Sequence, residues 1–190
     1  DAGTSIGSAL YLYNQILGKK RLPETTTAYF GKQATQAEII FALDNKGVTY
    51  SILTDDELFD KVSDKLVDGG VIGWFQGRAE FGPRALGHRS IIVDPRRSDA
   101  KDLLNEKIKR RESFRPFAPS ILKEAVSDYF VQNDTVPFME KVFDIKKEKH
   151  NEIPAVTHVD GTGRLQSVDA EISPRYYKLI SKFAEKTGVP

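Results

Sequence analysis

The chain has 190 residues, of which 39% are hydrophobic and 29% charged, and its formal net charge is +1. This length suits one domain, or one domain with an attached piece. Because the positive and negative charges nearly balance, the net charge does not indicate nucleic acid or a membrane as partner. No apolar run reaches about 18 residues and no charged-then-apolar leader opens the chain, so we expect neither a membrane span nor a signal peptide. The lack of cysteine excludes disulfides and thiolate sites and favours the cytoplasm. The three histidines lie far apart in the sequence, which predicts no dedicated metal site.

Helix signals recur along the chain, and several of them come with end signals. Thr35 followed by Glu38 has the spacing of a capping box, and Ser98 is the predicted N-cap of a later helix. Pro174 suits the first turn of the last helix, and Gly188 lies just beyond its end. The predicted helices span residues 5–17, 35–45, 55–68, 98–110, 124–130 and 174–186.

Strand signals lie between these helices. Residues 48–53 alternate in polarity, whereas residues 71–75 are continuously apolar and predict an interior strand. The predicted strands and extended pieces cover residues 48–53, 71–75, 90–93, 120–122, 140–146 and 165–168. We therefore expect a mixed α/β fold built around a twisted sheet.

An arginine-rich turn, "GRAEFGPRALGHRS", follows the predicted strand at residues 71–75. Its cations are Arg78, Arg84, Arg89 and His88. Glycine lets a ligand approach the backbone closely, and guanidinium groups suit phosphate and carboxylate. The turn therefore predicts an anion-binding cradle at the edge of the sheet. In the alternative interpretation, these arginines pair with Glu80, Asp94 and Asp99 and only brace the turn.

A second basic stretch, "NEKIKRRESFRPFAPS", covers residues 105–120. Its run of lysines and arginines, which includes Arg111, is typical of a solvated helix face, and the role of Lys109 stays open at this point. Arg115 differs, because the prolines around it predict a rigid, partly buried extended segment. An arginine held in this way suits an anion-binding role.

A third stretch, "THVDGTGRLQSV", contains Asp160, Gly161 and Gly163, which predict a tight turn between extended pieces. The turn brings His158 and Arg164 close together in the chain. On spacing alone, an ordinary hairpin is the favoured interpretation.

Three of these segments together resemble the carboxy-terminal domain of the O-carbamoyltransferases, which include nodulation-factor, cephalosporin and aminoglycoside carbamoyltransferases. They read "GWFQGRAEFGPRALGHRSIIVDPR", "KIKRRESFRPFAPSIL" and "HVDGTGR". The resemblance implies a YrdC-like fold, similar to threonylcarbamoyl-adenylate synthase, with a twisted mixed sheet and a positively charged cavity. The opening "DAGTSIGSAL" resembles the last helix of that family's amino-terminal, actin-like domain. The expected organisation is therefore residues 1–18 as that helix, 19–34 as a linker and 35–190 as the YrdC-like domain.

The resemblance also implies an activity. Carbamoyl phosphate and ATP, with Mg²⁺ on the triphosphate, would give carbamoyl-adenylate and pyrophosphate. The actin-like domain would then pass the carbamoyl group to a substrate hydroxyl, whose carrier the sequence does not identify. No protein nucleophile is required, which agrees with the lack of cysteine.

The resemblance assigns site residues one by one. Arg84, Lys109 and Arg115 would stabilise the charge of the adenylation step, and Arg164 would join them on the substrate phosphates. For Lys109 and Arg164 this role depends on the resemblance alone. The full predicted set of phosphate-binding residues is Arg78, Arg84, Arg89, Lys109, Arg115 and Arg164, with His88 and His158 as lesser members and no metal ligand.

The sequence departs from the family pattern at its end. The family usually continues past "TGVP" into another strand and a loop that helps to bind the nucleotide, so we expect an incomplete domain whose exposed strand edge favours self-association. The alternative function is a nucleotide- or RNA-binding module that uses the basic cavity without catalysis. Such a module would place aromatic side chains among its cations, and the candidates are Phe75, Phe81, Phe114 and Phe117.

Overall fold

The computed structural model describes residues 2–190, and in these the chain forms six α-helices and six short β-strands. The helices are α1 (Ala2–Tyr11), α2 (Gln36–Asn45), α3 (Asp55–Val67), α4 (Ala100–Leu103), α5 (Val126–Tyr129) and α6 (Pro174–Thr187). The strands are β1 (Ile72–Phe75), β2 (Arg89–Ile92), β3 (Ser120–Leu122), β4 (Val142–Asp144), β5 (Thr162–Arg164) and β6 (Gln166–Val168). Two of the helices continue as π-helical turns, α1 through Leu12–Ile16 and α4 through Leu104–Lys109.

The described strands form three separate pairs rather than one continuous sheet. β1 and β2 are antiparallel, β3 and β6 are parallel, and β4 and β5 are antiparallel. The mixed α/β class is thus confirmed, while the YrdC-like assignment stays a prediction. Each strand has three or four residues and pairs along one edge, so sheet hydrogen bonds organise only local parts of the fold. Self-association through an exposed edge also stays a prediction.

The hydrophobic core is organised by the packing of α3 against α6. Helix α3 buries Phe59, Val62 and Leu66, and α6 buries Leu179 and Phe183. Both helices begin and end through local chemistry. Thr54 and Glu57 form a capping box at the start of α3, and Gly188 adopts a left-handed conformation (φ 77°) after α6.

The first part of the chain contributes little to this core, since none of residues 3–58 is buried. The predicted capping box of α2 is confirmed, because the Thr35 and Glu38 side chains each accept from the other's backbone N–H. Even so, α2 leaves Phe41 69% exposed. This helix is therefore held by its own local hydrogen bonds more than by packing.

Two strand predictions need correction. Residues 48–53 are not a strand, although they alternate in polarity, because no neighbouring strand pairs with them and Ile52 stays 70% exposed. Strand β1 exists, but it is not interior. It pairs with β2 alone, so that Trp74 is buried while Phe75 is 52% exposed.

The predicted cap at Ser98 is also wrong. Helix α4 begins one residue later, after Asp99, whose side chain makes no capping hydrogen bond. The Asp99 carboxylate is instead occupied by the Arg97 guanidinium, at 2.9 and 2.6 Å. Among the described helices, none combines the length and apolar character needed to cross a membrane.

Replacing Phe183 by alanine should lower the free energy of unfolding by about 3–5 kcal/mol, because it empties a packed site between α6 and α3. The matched change Phe41→Ala, at an exposed ring, should cost less than about 0.5 kcal/mol. Urea denaturation followed by circular dichroism measures both. Equal costs for the two variants would contradict the assigned core.

Candidate functional site

The arginine-rich turn between β1 and β2 is closed by its only acidic side chain. One carboxylate oxygen of Glu80 accepts from the backbone N–H groups of Leu86, His88 and Arg89, at 2.7, 2.9 and 3.1 Å. Burial raises the pKa of Glu80, but these three hydrogen bonds outweigh it and hold the pKa below the ordinary value. The carboxylate therefore fixes the path of the turn that carries Arg84.

Part of the predicted linker lies against this turn. Gly31 donates to the carbonyl of Ala79 at 2.8 Å, and Ala79 donates to that of Lys32 at 3.0 Å. Phe81 donates to the carbonyl of Ala28 at 2.7 Å. A Cβ added at Gly31 would lie 2.8 Å from Ala79, so this close approach requires glycine. The domain boundaries stay predictions, but residues 28–32 are part of the turn's support.

A chain of buried polar side chains runs beneath the turn. Trp74 Nε1 donates to Gln76 Oε1 at 2.9 Å, and Gln76 Nε2 donates to Ser173 Oγ at 3.2 Å. Ser173 Oγ lies 3.1 Å from His88 Nε2, and His88 Nδ1 lies 2.7 Å from the carbonyl of Arg78. The carbonyl can only accept, so Nδ1 carries the hydrogen and Nε2 accepts from Ser173. Every link is satisfied when His88 is neutral.

His88 is also covered by an aromatic ring. Tyr29 stacks on the imidazole with ring centroids 3.6 Å apart, and its hydroxyl donates to the carbonyl of Leu86 at 2.8 Å. Burial raises the pKa of Tyr29 to about 12 and lowers that of His88. His88 therefore orients the turn, and its predicted contact with a substrate stays untested.

Arg89 and Arg78 brace the turn through backbone carbonyls. Arg89 donates to the carbonyls of Gln76 (2.5 Å) and Gly77 (3.0 Å), and its guanidinium lies 3.6 Å from the centre of the Phe75 ring. Arg78 is exposed and donates to the carbonyl of Phe30 at 3.2 Å. The bracing alternative thus describes these contacts, although the partners are carbonyls rather than acids. Their predicted role in binding phosphate stays a prediction.

Two of the three acids named in that alternative, Asp94 and Asp99, pair with other arginines. Asp94, which is buried, binds Arg96 through both carboxylate oxygens, and Asp99 binds Arg97. Neither of these two pairs involves an arginine of the turn.

A cavity of about 370 Å³ brings together cations from three separate parts of the chain. The cationic side chains that line it are Arg84, Lys109, Arg111 and Arg164. Among the described residues, no aspartate or glutamate side chain lines it. Cations gathered in a recess without acids suit a phosphate-bearing ligand.

Among the arginines that line this cavity, Arg164 has the clearest shift in pKa. Burial lowers the pKa of its guanidinium, and the neighbouring charges of Arg84 and Arg111 lower it further. Its buried Nε has no hydrogen-bond partner within residues 2–190. Three guanidinium groups held near one another are under mutual repulsion, which an anion would relieve. The hairpin interpretation of Arg164 is therefore incomplete, since the side chain is part of the cavity wall.

Arg111 was not among the predicted site residues, and a buried side chain holds it in place. Asn105 is fully buried in the π-helical turn after α4 and accepts from Arg111 Nε at 2.7 Å. Its amide donates to the carbonyls of Ser113 (3.0 Å) and Arg115 (2.9 Å). The sequence signal was a polar residue, Asn105, directly after two leucines in a predicted helix.

Arg115 does not line the cavity. Its side chain is 52% exposed, and its Nε lies 2.8 Å from the Glu112 carboxylate. Phe114 beside it is 76% exposed, so the expectation of a partly buried segment is wrong at these two positions, whereas Phe117 is half-buried. The prolines stiffen this segment without covering it. The phosphate-binding role of Arg115 stays a prediction.

The predicted tight turn after residue 157 is confirmed. Gly161 has a φ of 82°, and Asp160 accepts from the backbone N–H and the hydroxyl of Thr162 at 3.0 and 2.7 Å. His158 lies within this turn, 3.0 Å from the same hydroxyl. The described residues hold no cluster of three or more histidine, aspartate or glutamate side chains that could bind a metal ion.

Comparison with known proteins gives this site a context. The Carbamoyltransferase C-terminus family matches residues 63–190. The nodulation protein NolO of Bradyrhizobium diazoefficiens is 41% identical over 100% of this chain, which covers 35% of that protein. An uncharacterized protein of Synechocystis is 42% identical over 98% of this chain and 35% of its own length. The 3'-hydroxymethylcephem-O-carbamoyltransferase of Amycolatopsis lactamdurans is 39% identical over 68% of this chain and 24% of its own length. The chain thus spans 35% of the length of the NolO and Synechocystis proteins and 24% of the length of the Amycolatopsis protein.

We expect the free energy of unfolding to decrease as the pH falls below about 6.5, the ordinary pKa of histidine. The folded pKa of His88 is lowered, so the unfolded state takes up the proton first and is favoured. The contribution is complete above the ordinary pKa and is lost as the pH approaches the folded value. His88→Gln should be less stable at pH 7.5 but show a flatter pH dependence, measured by urea denaturation from pH 8 to 5. Parallel curves for the two proteins would exclude this role.

Arg111→Gln should weaken the binding of inorganic pyrophosphate by about 10-fold or more, because it removes a charged donor from the cavity. Asn105→Asp should act in the same direction, since a carboxylate would neutralise Arg111 and repel the carbonyls that Asn105 now binds. Calorimetry of the 190-residue chain measures both affinities.

The matched control is Arg110→Gln, which removes the same charge from a neighbouring residue outside the cavity lining. Its effect should be small. If the two glutamine variants lose the same affinity, net charge rather than the position of Arg111 explains the binding.

Proposed function

Because the chain belongs to the carbamoyltransferase C-terminus family, we propose that it is part of a longer O-carbamoyltransferase that carries a carbamoyl group to a substrate hydroxyl. The Amycolatopsis relative is named for such a transfer. The observation that carries the proposal is the cavity lined by Arg84, Lys109, Arg111 and Arg164. A recess of this kind suits a reaction in which substrates and leaving groups carry phosphate.

The substrates we propose for this cavity are carbamoyl phosphate and ATP. Water would first hydrolyse carbamoyl phosphate to carbamate and inorganic phosphate, and the carbamate and ATP would then give carbamoyl-adenylate and pyrophosphate. In the adenylating step, an oxygen of the carbamate attacks the α-phosphorus of ATP. The bond between that phosphorus and the bridging oxygen then breaks, and pyrophosphate leaves with its electron pair. Mg²⁺ would enter with the triphosphate as part of the substrate.

The chain's own contribution to this step is fixed positive charge. Negative charge develops on the α-phosphoryl group and on the leaving pyrophosphate, and donors already in position stabilise it without further reorganisation. Arg84 is carried by the turn that Glu80 closes, and Arg111 is held by Asn105. Arg115 would have to leave Glu112 to reach the same phosphates.

The second half of the reaction belongs to the rest of the proposed parent protein. We propose that an actin-like domain, amino-terminal to this chain, holds the hydroxyl-bearing acceptor and receives the carbamoyl group there. The reaction would take place in the cytoplasm.

The nucleic-acid-binding alternative has less support. Two of its four candidate aromatic rings are engaged by arginines of the same chain, Phe75 by Arg89 and Phe117 by Arg111. In each of these rings an arginine already lies over one face that a base would need for stacking. We therefore favour the enzymatic function.

In the full-length protein, Arg84→Ala and Arg115→Ala should each abolish the exchange of labelled pyrophosphate into ATP in the presence of carbamoyl phosphate. Each change should remove about 2–4 kcal/mol of transition-state stabilisation if the guanidinium contacts developing charge. Scintillation counting of ATP separated from pyrophosphate gives the rate.

Arg175→Ala is the matched control, because Arg175 is bound to Asp55 on the surface and lies outside the cavity lining. It should exchange pyrophosphate at the parent rate. A folded Arg84→Ala or Arg115→Ala protein with near-normal exchange would remove that residue from the reaction.

A further inference from the structure

Arg84 and Arg164 line the same cavity, the arginine cavity, but come from distant parts of the chain. Two residues after Arg84, the backbone of Leu86 is bonded on both sides. Its N–H donates to the Glu80 carboxylate at 2.7 Å, and its carbonyl accepts from two side chains. The Leu86 side chain is itself buried. Leu86 therefore anchors the part of the turn that presents Arg84.

The two donors to the Leu86 carbonyl are Tyr29 and Gln166. The Tyr29 hydroxyl donates at 2.8 Å, and Gln166 Nε2 donates at 3.0 Å. Tyr29 belongs to the segment that supports the turn, whereas Gln166 is the first residue of β6 and lies two residues after Arg164. Gln166 is therefore a direct link between the turn that carries Arg84 and the segment that carries Arg164.

The Gln166 side chain is held at both ends of its amide. Strand β6 pairs with β3 so that Gln166 lies opposite Ser120, and Ser120 Oγ donates to Gln166 Oε1 at 2.9 Å. The Leu86 carbonyl can only accept, so the amide nitrogen must face it. The Tyr29 hydroxyl is a further hydrogen-bond partner of this amide. Gln166 is 2% exposed and lies outside the lining of the arginine cavity, so it can influence that cavity only through other residues.

The turn is also held from below, by a buried aromatic ring. A Cβ added at Gly87 would lie 2.2 Å from the ring of Tyr176, so the backbone lies directly on this ring. The turn cannot move toward the core without displacing Tyr176. A movement away from the core would lengthen the hydrogen bond between Gln166 and Leu86. The position of the turn relative to β6 is therefore fixed in both directions.

We propose that Gln166 is a positioning residue of the phosphate site, which fixes the separation of the Arg84 and Arg164 guanidinium groups by tying the turn to β6. The proposal rests on the proposed function, since it assigns a part in binding the substrate phosphates. A ligand with two phosphoryl groups needs both guanidinium groups at a set separation, whereas a single phosphate can follow either one. Holding the two groups in place beforehand lowers the entropy lost on binding.

The test measures the affinities of the 190-residue chain for inorganic pyrophosphate and orthophosphate by calorimetry. Gln166→Met keeps a side chain of similar length but removes the amide. We expect it to weaken pyrophosphate by about 5-fold and orthophosphate by less than about 2-fold. A change that only lowers stability would leave the ratio of the two affinities at the parent value.

A double-mutant cycle asks whether Gln166 acts through Arg84. In the Arg84→Gln protein, the added change Gln166→Met should weaken pyrophosphate by less than about 2-fold, because the group that it positions is gone. Equal losses in the parent and Arg84→Gln proteins would overturn the proposal.

Tyr29→Phe removes the other donor to the Leu86 carbonyl and leaves Gln166 in place. It should lower the ratio of pyrophosphate to orthophosphate affinity in the same direction, because the same carbonyl is less firmly held. This variant decides the question if Gln166→Met does not fold, and an unchanged ratio would then exclude the positioning role.

The matched control is Gln132→Met, at a glutamine whose amide also joins two segments. Gln132 accepts from the Asp144 backbone N–H at 3.0 Å and donates to its carboxylate at 3.1 Å, outside the arginine cavity. Both affinities should stay at the parent values.

The possible failures are distinguishable. If the parent chain binds pyrophosphate and Gln166→Met binds it as tightly, or loses both ligands equally, the positioning role is wrong and the proposed function keeps its support. If the parent chain binds neither ligand, both the positioning role and the proposed function are wrong.

Discussion

The site depends on a single carboxylate that organises backbone rather than charge. Glu80 Oε1 accepts hydrogen bonds from three backbone N–H groups, those of Leu86, His88 and Arg89, and so closes the turn between β1 and β2. Without this acceptor, three partly buried donors would lose their partner, at a cost of about 1–3 kcal/mol for each. The turn that presents Arg84 to the cavity is therefore held by the hydrogen bonds of its backbone to Glu80.

Five of the arginines are divided between two tasks. Arg78 and Arg89 donate hydrogen bonds to backbone carbonyls and hold the turn together. Arg84, Arg111 and Arg164 face a common cavity, where burial and the charges of Arg84 and Arg111 lower the pKa of Arg164. Such an arrangement costs stability in the unliganded protein. A bound anion, as proposed for this cavity, would offset this cost with its opposite charge.

A second cavity, of about 330 Å³, adjoins the arginine cavity, and Pro116 lines both. One is lined by Arg84, Lys109, Arg111 and Arg164, and the other by Lys101, Asp160 and the exposed ring of Phe114. Arg111 is held by the Asn105 side chain, and His158 contacts the Thr162 hydroxyl. Preorganised donors and acceptors of this kind bind a ligand with little further loss of entropy.

The sequence by itself determined the features that depend on neighbours along the chain. The capping box of Thr35 and Glu38, the glycine end of α6 and the turn at Gly161 all follow from interactions a few residues long. It also identified the family and the arginine-rich turn. A strand at residues 48–53 could not be settled in this way, because a strand exists only where a partner supplies hydrogen bonds. For the same reason only the tertiary structure decided which arginines brace and which line the cavity, since the cavity brings together Arg84, Arg111 and Arg164 from separate parts of the chain.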